Sequence, residues 1–180
     1  APNVTSAYQK FAFRAHRVEQ PEFVGKRAAE LEVIRPDGRM FVERLRRGER
    51  ILSVEPDLRI ERGDIVCLYG RSELVLEYGP RIGAEIHDPE LLDFPVEIAR
   101  VIVTNRAITQ RSFGELVSWP PTRGVGVRKV TRGGQDIPVS PATVLDRGDV
   151  IELVGPQPTV ARAAREIGQI EMPTANTNLM

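Results

Sequence analysis

Cysteine, histidine and lysine are all scarce in this chain of 180 residues, and an excess of either charge is missing. The single cysteine, Cys67, excludes an internal disulfide framework and a Cys-rich zinc site, and it fits a reducing compartment. The 25 basic residues are matched by 25 acidic ones, so the chain lacks the basic surplus needed to coat a phosphate backbone. No apolar run approaches the roughly 20 residues that span a bilayer. What remains is the composition of a mixed α/β protein, long enough for one ordinary domain or two small ones.

Three of the cations are lysines (Lys10, Lys26, Lys129) and the rest are arginines. Arginine suits bidentate contacts to carboxylate or phosphate, but an enrichment spread over a whole chain reads as compositional bias. Residues 1–95 hold 15 cations against 17 anions, and residues 96–180 hold 10 against 8. Net charges of −2 and +2 are too small to imply an acidic or basic partner.

The most informative feature is self-similarity. A shift of 85 residues aligns positions 11–83 with 96–168 without a gap, giving 17 identities in 73 positions. Arg62-Gly63-Asp64 falls on Arg147-Gly148-Asp149, Arg47-Gly48 on Arg132-Gly133, and Glu30-Leu31 on Glu115-Leu116. Pro36 matches Pro121, Val54 and Pro56 match Val139 and Pro141, and Ile82-Gly83 matches Ile167-Gly168. The matches sit at turns and in apolar slots, where a shared backbone demands them. This is a duplicated module.

Each copy reads as β-α-β-β-β-α. Residues 11–18 and 96–103 form a first strand, 25–32 and 110–117 a short helix, and 39–46 and 125–131 a second strand. Arg47-Gly48 and Arg132-Gly133 turn a hairpin into a short third strand, where Pro56 and Pro141 interrupt the ladder. The Arg-Gly-Asp turns lead into a fourth strand, at 65–69 and 150–154, with Gly supplying the turn and Asp capping local amides. A last helix covers 72–82 and 157–167. Gly48, Gly63, Asp64, Gly133, Gly148 and Asp149 are thus structural turn residues, and hairpins imply a mainly antiparallel α+β fold. The domains read as 8–85 and 96–170, with a short proline-flanked joint at 86–95 and a polar tail at 171–180. Leu91, Leu92 and Phe94 make the joint a packed segment, too short and apolar for a floppy linker.

Chemistry is harder to find. A catalytic site needs a nucleophile or an acid–base pair held by neighbours. His16 lies in a strand, as a packed or edge residue, and His87 in the joint, exposed; neither has a metal-ligand spacing. Cys67 has Glu152 as its repeat partner, which points to a sheet margin or an interface with no sign of an activated thiolate. Arg123-Gly124-Val125-Gly126 lacks the spacing and the following helix of a dinucleotide loop. Arg44, Arg46, Arg47 and Arg50 form the densest basic cluster, either solvated and interface-facing or ready for an anionic ligand. Trp119, before two prolines, is a loop anchor or a contact to the other module. No enzyme, cofactor, metal site or nucleic-acid partner follows from these residues.

The order of a first strand, a helix ending in Glu-Leu, Arg-Gly at the hairpin and Gly-Asp-(Ile/Val) with a closing Gly before a last helix resembles the RCK_C (TrkA-C) regulatory domain. The joint IGAEIHDPELLDFPVE, the following VTN and TRGGQDIPVSPATVLDRGDVIELVGP resemble the aspartate:alanine antiporter family, over about residues 8–172. That resemblance implies tandem RCK_C domains forming a cytoplasmic insert between blocks of transmembrane helices. The chain would then be an excised insert starting at Ala1, with its polar tail leading towards a membrane segment of the parent. It implies a non-enzymatic regulatory or ligand-sensing pair on the cytoplasmic face of the bacterial inner membrane. The expected partners are a second copy, the helices of the same polypeptide and a small effector. The first copy keeps Val24-Gly25-Lys26 before its helix, where the second has Gln110-Arg111, and no ligand-contact residue carries over. RCK_C domains of a potassium-transport system, a cation/proton antiporter or a dicarboxylate-type permease are the alternative host.

Overall fold

The alternation of the first copy builds strand β1 (Phe11–Arg17), and the chain then makes a one-turn helix, α1 (Ala28–Leu31). Strands β2 (Val33–Arg35), β3 (Gly38–Arg47), β4 (Arg50–Ser53) and β5 (Ile65–Arg71) follow, then α2 (Ser72–Ile82) and the short α3 (Pro89–Leu92). The second copy gives β6 (Val96–Val103), α4 (Phe113–Leu116), β7 (Gly126–Arg132), β8 (Gln135–Ile137), β9 (Val150–Pro156), α5 (Gln157–Ile167) and β10 (Gly168–Ile170). This computed structural model describes residues 11–35 and 38–171, so all of the polar tail expected at 171–180 except Glu171 lies outside the described residues.

Two compact units divide the chain between Phe94 and Pro95. The first sheet has the order β1-β5-β3-β2, with β4 also on β3, and the second has the order β10-β6-β9-β7-β8. Every neighbouring pair is antiparallel, and the protein is α+β. The register repeats as well: Ala15 faces Cys67 and Arg100 faces Glu152, each 85 residues on. Even the bulge recurs, between Val42 and Arg44 and between Val127 and Lys129.

A helix covers one face of each sheet. In the first unit α2 buries Leu74, Val75 and Ile82 against Met40, Val42, Leu45, Val66 and Leu68. In the second, α5 buries Val160, Ala163, Ala164 and Ile167, the three-and-four spacing of an amphipathic helix, on Val101, Val130, Ile151 and Leu153. Trp119 is half-buried against this second core and anchors its loop there.

The boundaries differ from the sequence expectation in three places. The helices expected at 25–32 and 110–117 last only four residues, because Arg27 and Ser112 are extended N-cap positions. Glu30 and Glu115 accept from the backbone amides of Arg27 and Ser112, at 2.8 and 3.1 Å, which explains why both copies keep this glutamate. Residues 33–35, outside the strands expected from the sequence, pair with β3, whereas the second copy has Ser118-Trp119-Pro120 there and makes a 3-10 turn over Pro120–Thr122. Two prolines remove the donors a strand needs. Gly168–Ile170 adds a strand beside β6, where the first copy has a single bridge between His16 and Glu85. At Gly83 and Gly168 a Cβ would stand 1.9 Å from the carbonyl oxygen of Arg17 and of Ile102, so the edge can approach only with glycine.

Candidate functional site

The residues that both copies share at the turns meet in one structural clasp. Arg47 Nε and Nη2 donate to Asp64 Oδ1 and Oδ2 at 3.0 and 2.8 Å. The same Nη2 donates to the Arg59 carbonyl at 2.9 Å, and Nη1 pairs with Glu61 at 2.9 Å. In the second unit Arg132 Nε and Nη2 donate to Asp149 at 2.8 and 2.9 Å, Nη2 also to the Val144 carbonyl at 2.9 Å, and Nη1 reaches Asp146 at 3.4 Å. The aspartate also accepts from a backbone amide of its own turn, Glu61 N or Asp146 N, both at 2.8 Å. Gly63 and Gly148, with φ of 88° and 91°, set that turn, and Gly48 and Gly133, with φ of 63° and 58°, set the hairpin that carries the arginine. Burial alone would raise the Asp149 carboxyl, but the Arg132 guanidinium and the Asp146 amide outweigh it and hold the group below its usual value. These charges tie the end of β3 to the turn before β5, and the end of β7 to the turn before β9.

The basic cluster of the first unit is divided by the pleat. Arg47 goes to Asp64, whereas Arg46 Nε and Nη2 donate to Asp88 at 2.7 and 3.0 Å, and Nη2 also to Glu90 at 2.7 Å. Arg44 Nη1 donates to the carbonyls of Leu91 and Asp93 at 3.1 and 3.3 Å, and its guanidinium stands 5.4 Å from the Phe94 ring centre. Arg50 is exposed at the start of β4. Asp88 in turn accepts from the Leu91 amide at 3.1 Å, capping α3. The Arg46 hydrogen bond holds the Asp88 carboxyl below its ordinary value. Residues 87–94 are therefore laid across the face of the first sheet opposite α2.

That segment changes the standing of Cys67. The sequence places it at a sheet margin or interface; it lies instead in the central strand β5, fully buried with Ala15 and Leu91. Ile51, Ile65, Leu92 and Phe94 complete the cluster. Burial, reinforced by the negative charge of Glu43, pushes the thiol up to about 12, so it is inert while covered. Phe94 meets Phe13 edge-on at 5.6 Å, and Phe13 stacks on Tyr69 at 5.3 Å.

The corresponding face of the second unit is charged. Arg100 stands where the first unit has Ala15, Glu152 where it has Cys67, and Arg128 where it has Glu43. Glu152 Oε2 accepts from Arg100 at 2.9 Å and Oε1 faces Arg128 at 3.1 Å, while Arg100 also pairs with Glu171. Val96 and Ile98, both about half exposed, continue this face along β6. One backbone plan thus carries two different surfaces.

An open cleft of about 490 Å³ lies in the first unit, lined by Phe13, Arg14, Glu85, Ile86, His87 and Leu92. Arg14 and Glu85 pair across it at 3.6 Å, and His87 is exposed. A small molecule there would meet one cation, one carboxylate and an imidazole above an apolar floor. His16 is buried elsewhere, with Nδ1 2.9 Å from the Gly83 carbonyl oxygen and its ring against Gly79. Among the described residues no group of His, Cys, Asp or Glu is arranged to hold a metal ion, and no helix is long and apolar enough to cross a membrane.

No family model matches the chain. It is 37% identical over 174 residues to an uncharacterized transporter of Bradyrhizobium diazoefficiens, covering 96% of this chain and 34% of that protein. An uncharacterized transporter of Bordetella parapertussis is 30% identical over 99% of this chain and 32% of its own length. One of Shewanella oneidensis is 31% identical over 94% of this chain and 31% of its own length. The chain spans about a third of the length of the curated relatives it matches.

Proposed function

We propose that the chain is the regulatory, non-enzymatic part of a bacterial secondary transporter of the aspartate:alanine antiporter type, held on the cytoplasmic face of the inner membrane. One observation carries the reading. Nearly the whole chain, 96% of it, aligns with a protein named as a transporter, yet it makes up only 34% of that protein. The remaining two thirds leave length for the bilayer-crossing helices that the described residues do not contain.

A regulatory role is supported by how the shared charges are used. The arginine and aspartate common to both copies close on each other, and the divergent residues lie on the sheet faces opposite α2 and α5. Modules of this kind act by pairing with a second copy and by binding a small effector, for which the cleft at Arg14, Glu85 and His87 is the candidate place. An effector shifts the transporter only through different affinities for its two states.

The coding sequence on either side of this segment tests the host. Apolar runs of about 20 residues are expected on both sides, and a gene without them overturns the reading. A thermal-shift screen with nucleotides, cyclic dinucleotides, aspartate, alanine and divalent ions tests the effector. Stabilisation by one of them is the expected result, and a flat response to all removes the ligand-sensing part.

A further inference from the structure

We propose that residues 87–94 are a releasable strap over the face of the first sheet opposite α2, pinned by the Arg46–Asp88 clasp, whose undocking uncovers Ala15 and Cys67 while the core beneath α2 stays folded. Two clusters separate the parts. Leu91, Leu92 and Phe94 pack with Ala15, Cys67, Ile51 and Ile65, and none of these belongs to the core beneath α2. The strap can leave without opening that core.

Its attachments suit release. Arg46 and Arg44 supply the side-chain hydrogen bonds that hold it, and α3 is a single turn capped by the same Asp88 that Arg46 grips. Losing one guanidinium therefore removes both the anchor and the partner of the cap. Upstream, Ile86 N stays bonded to the Ala15 carbonyl at 2.8 Å, so the strap has a fixed root on the edge of β1. In the second copy Thr131 stands at the position of Arg46 and Glu152 at that of Cys67, so the anchoring guanidinium and the covered thiol belong to the first unit.

Release has two consequences. His87 and Leu92, which line the cleft, belong to the strap, so undocking dismantles the cleft and any occupant holds the strap down. Undocking also frees eight residues ahead of β6, roughly 25–30 Å of extended chain. The inference concerns this chain alone and does not depend on the transporter reading.

Cys67, the one cysteine, reports on the strap directly. The 180-residue chain is exposed to a thiol reagent in native buffer across low urea concentrations. An opening that uncovers little surface gives labelling faster than global unfolding and nearly independent of urea. Asp88→Asn and Arg46→Ala are expected to speed labelling at least tenfold, with unchanged amide exchange at Val66 and Leu68. Should Arg46→Ala fail to fold, the wild type and Asp88→Asn decide. Labelling only at the rate of global unfolding, with its full urea dependence, in both of these overturns the strap.

Discussion

Asp64 and Asp149 are nearly inaccessible, yet each keeps a full set of partners: a two-pronged guanidinium and a backbone amide. Replacing either by asparagine removes the charge that the arginine grips, while the amide side chain can still accept one bond. Asp64→Asn and Asp149→Asn are each expected to cost about 1–3 kcal/mol in urea denaturation. A pH dependence follows for Asp149, whose folded-state pKa is depressed. Its contribution is fully present above the unfolded value near ~3.9 and is lost as pH falls through the lower folded value. Acid denaturation of Asp149→Asn should therefore show a shallower stability loss in that window than the wild type. The turn glycines and aspartates could be read from the repeat, because identical residues at fixed spacing point to one backbone. The arginine partner is visible in the same alignment, as Arg47 over Arg132, but in the sequence it stands in one dense cluster with Arg44 and Arg46. Strand alternation separates them, and only the pairing shows which carboxylate each one meets.

At the level of elements, the sheets keep one register and vary what stands on their open faces. Cys67 sits under Leu91 with Ala15 beside it, and Glu152 sits between Arg100 and Arg128. A carboxylate placed at Cys67 would be buried near Glu43 and Asp88, with Arg44, which already donates to the Leu91 and Asp93 carbonyls, as the cation acting on the site. Cys67→Glu is expected to cost ~3 kcal/mol or more, or to displace the strap. The reverse change, Glu152→Cys, leaves Arg100 paired with Glu171 and is expected to cost clearly less, as parallel denaturation curves would show. Glutamate at the repeat position points to a marginal Cys67, but equivalence in sequence preserves the backbone and not the environment: residues 87–94 cover Cys67, while Arg100 and Arg128 flank Glu152.

For the molecule as a whole, duplication is the organising fact. The second unit has its own five-stranded sheet, its own helix and a core of its own. Residues 95–171 expressed alone are expected to unfold cooperatively in urea, with no binding of a hydrophobic dye before the transition. A dye-binding fragment without a transition would show that this core does not suffice, the usual hazard at about 75 residues. Two thirds of each curated relative lie outside the aligned segment.

The sequence by itself determined the module, its duplication, the α+β class and the turns, since these depend on local backbone demands that recur every 85 residues. Length and hydropathy also sufficed to show that no described helix spans a bilayer. Tertiary structure alone decided which arginine meets which aspartate, that Cys67 is covered, and that residues 87–94 lie on the first sheet. Those outcomes depend on side chains brought together from 17 to 81 positions apart, such as Arg47 with Asp64 and Phe13 with Phe94, and no local pattern encodes such meetings.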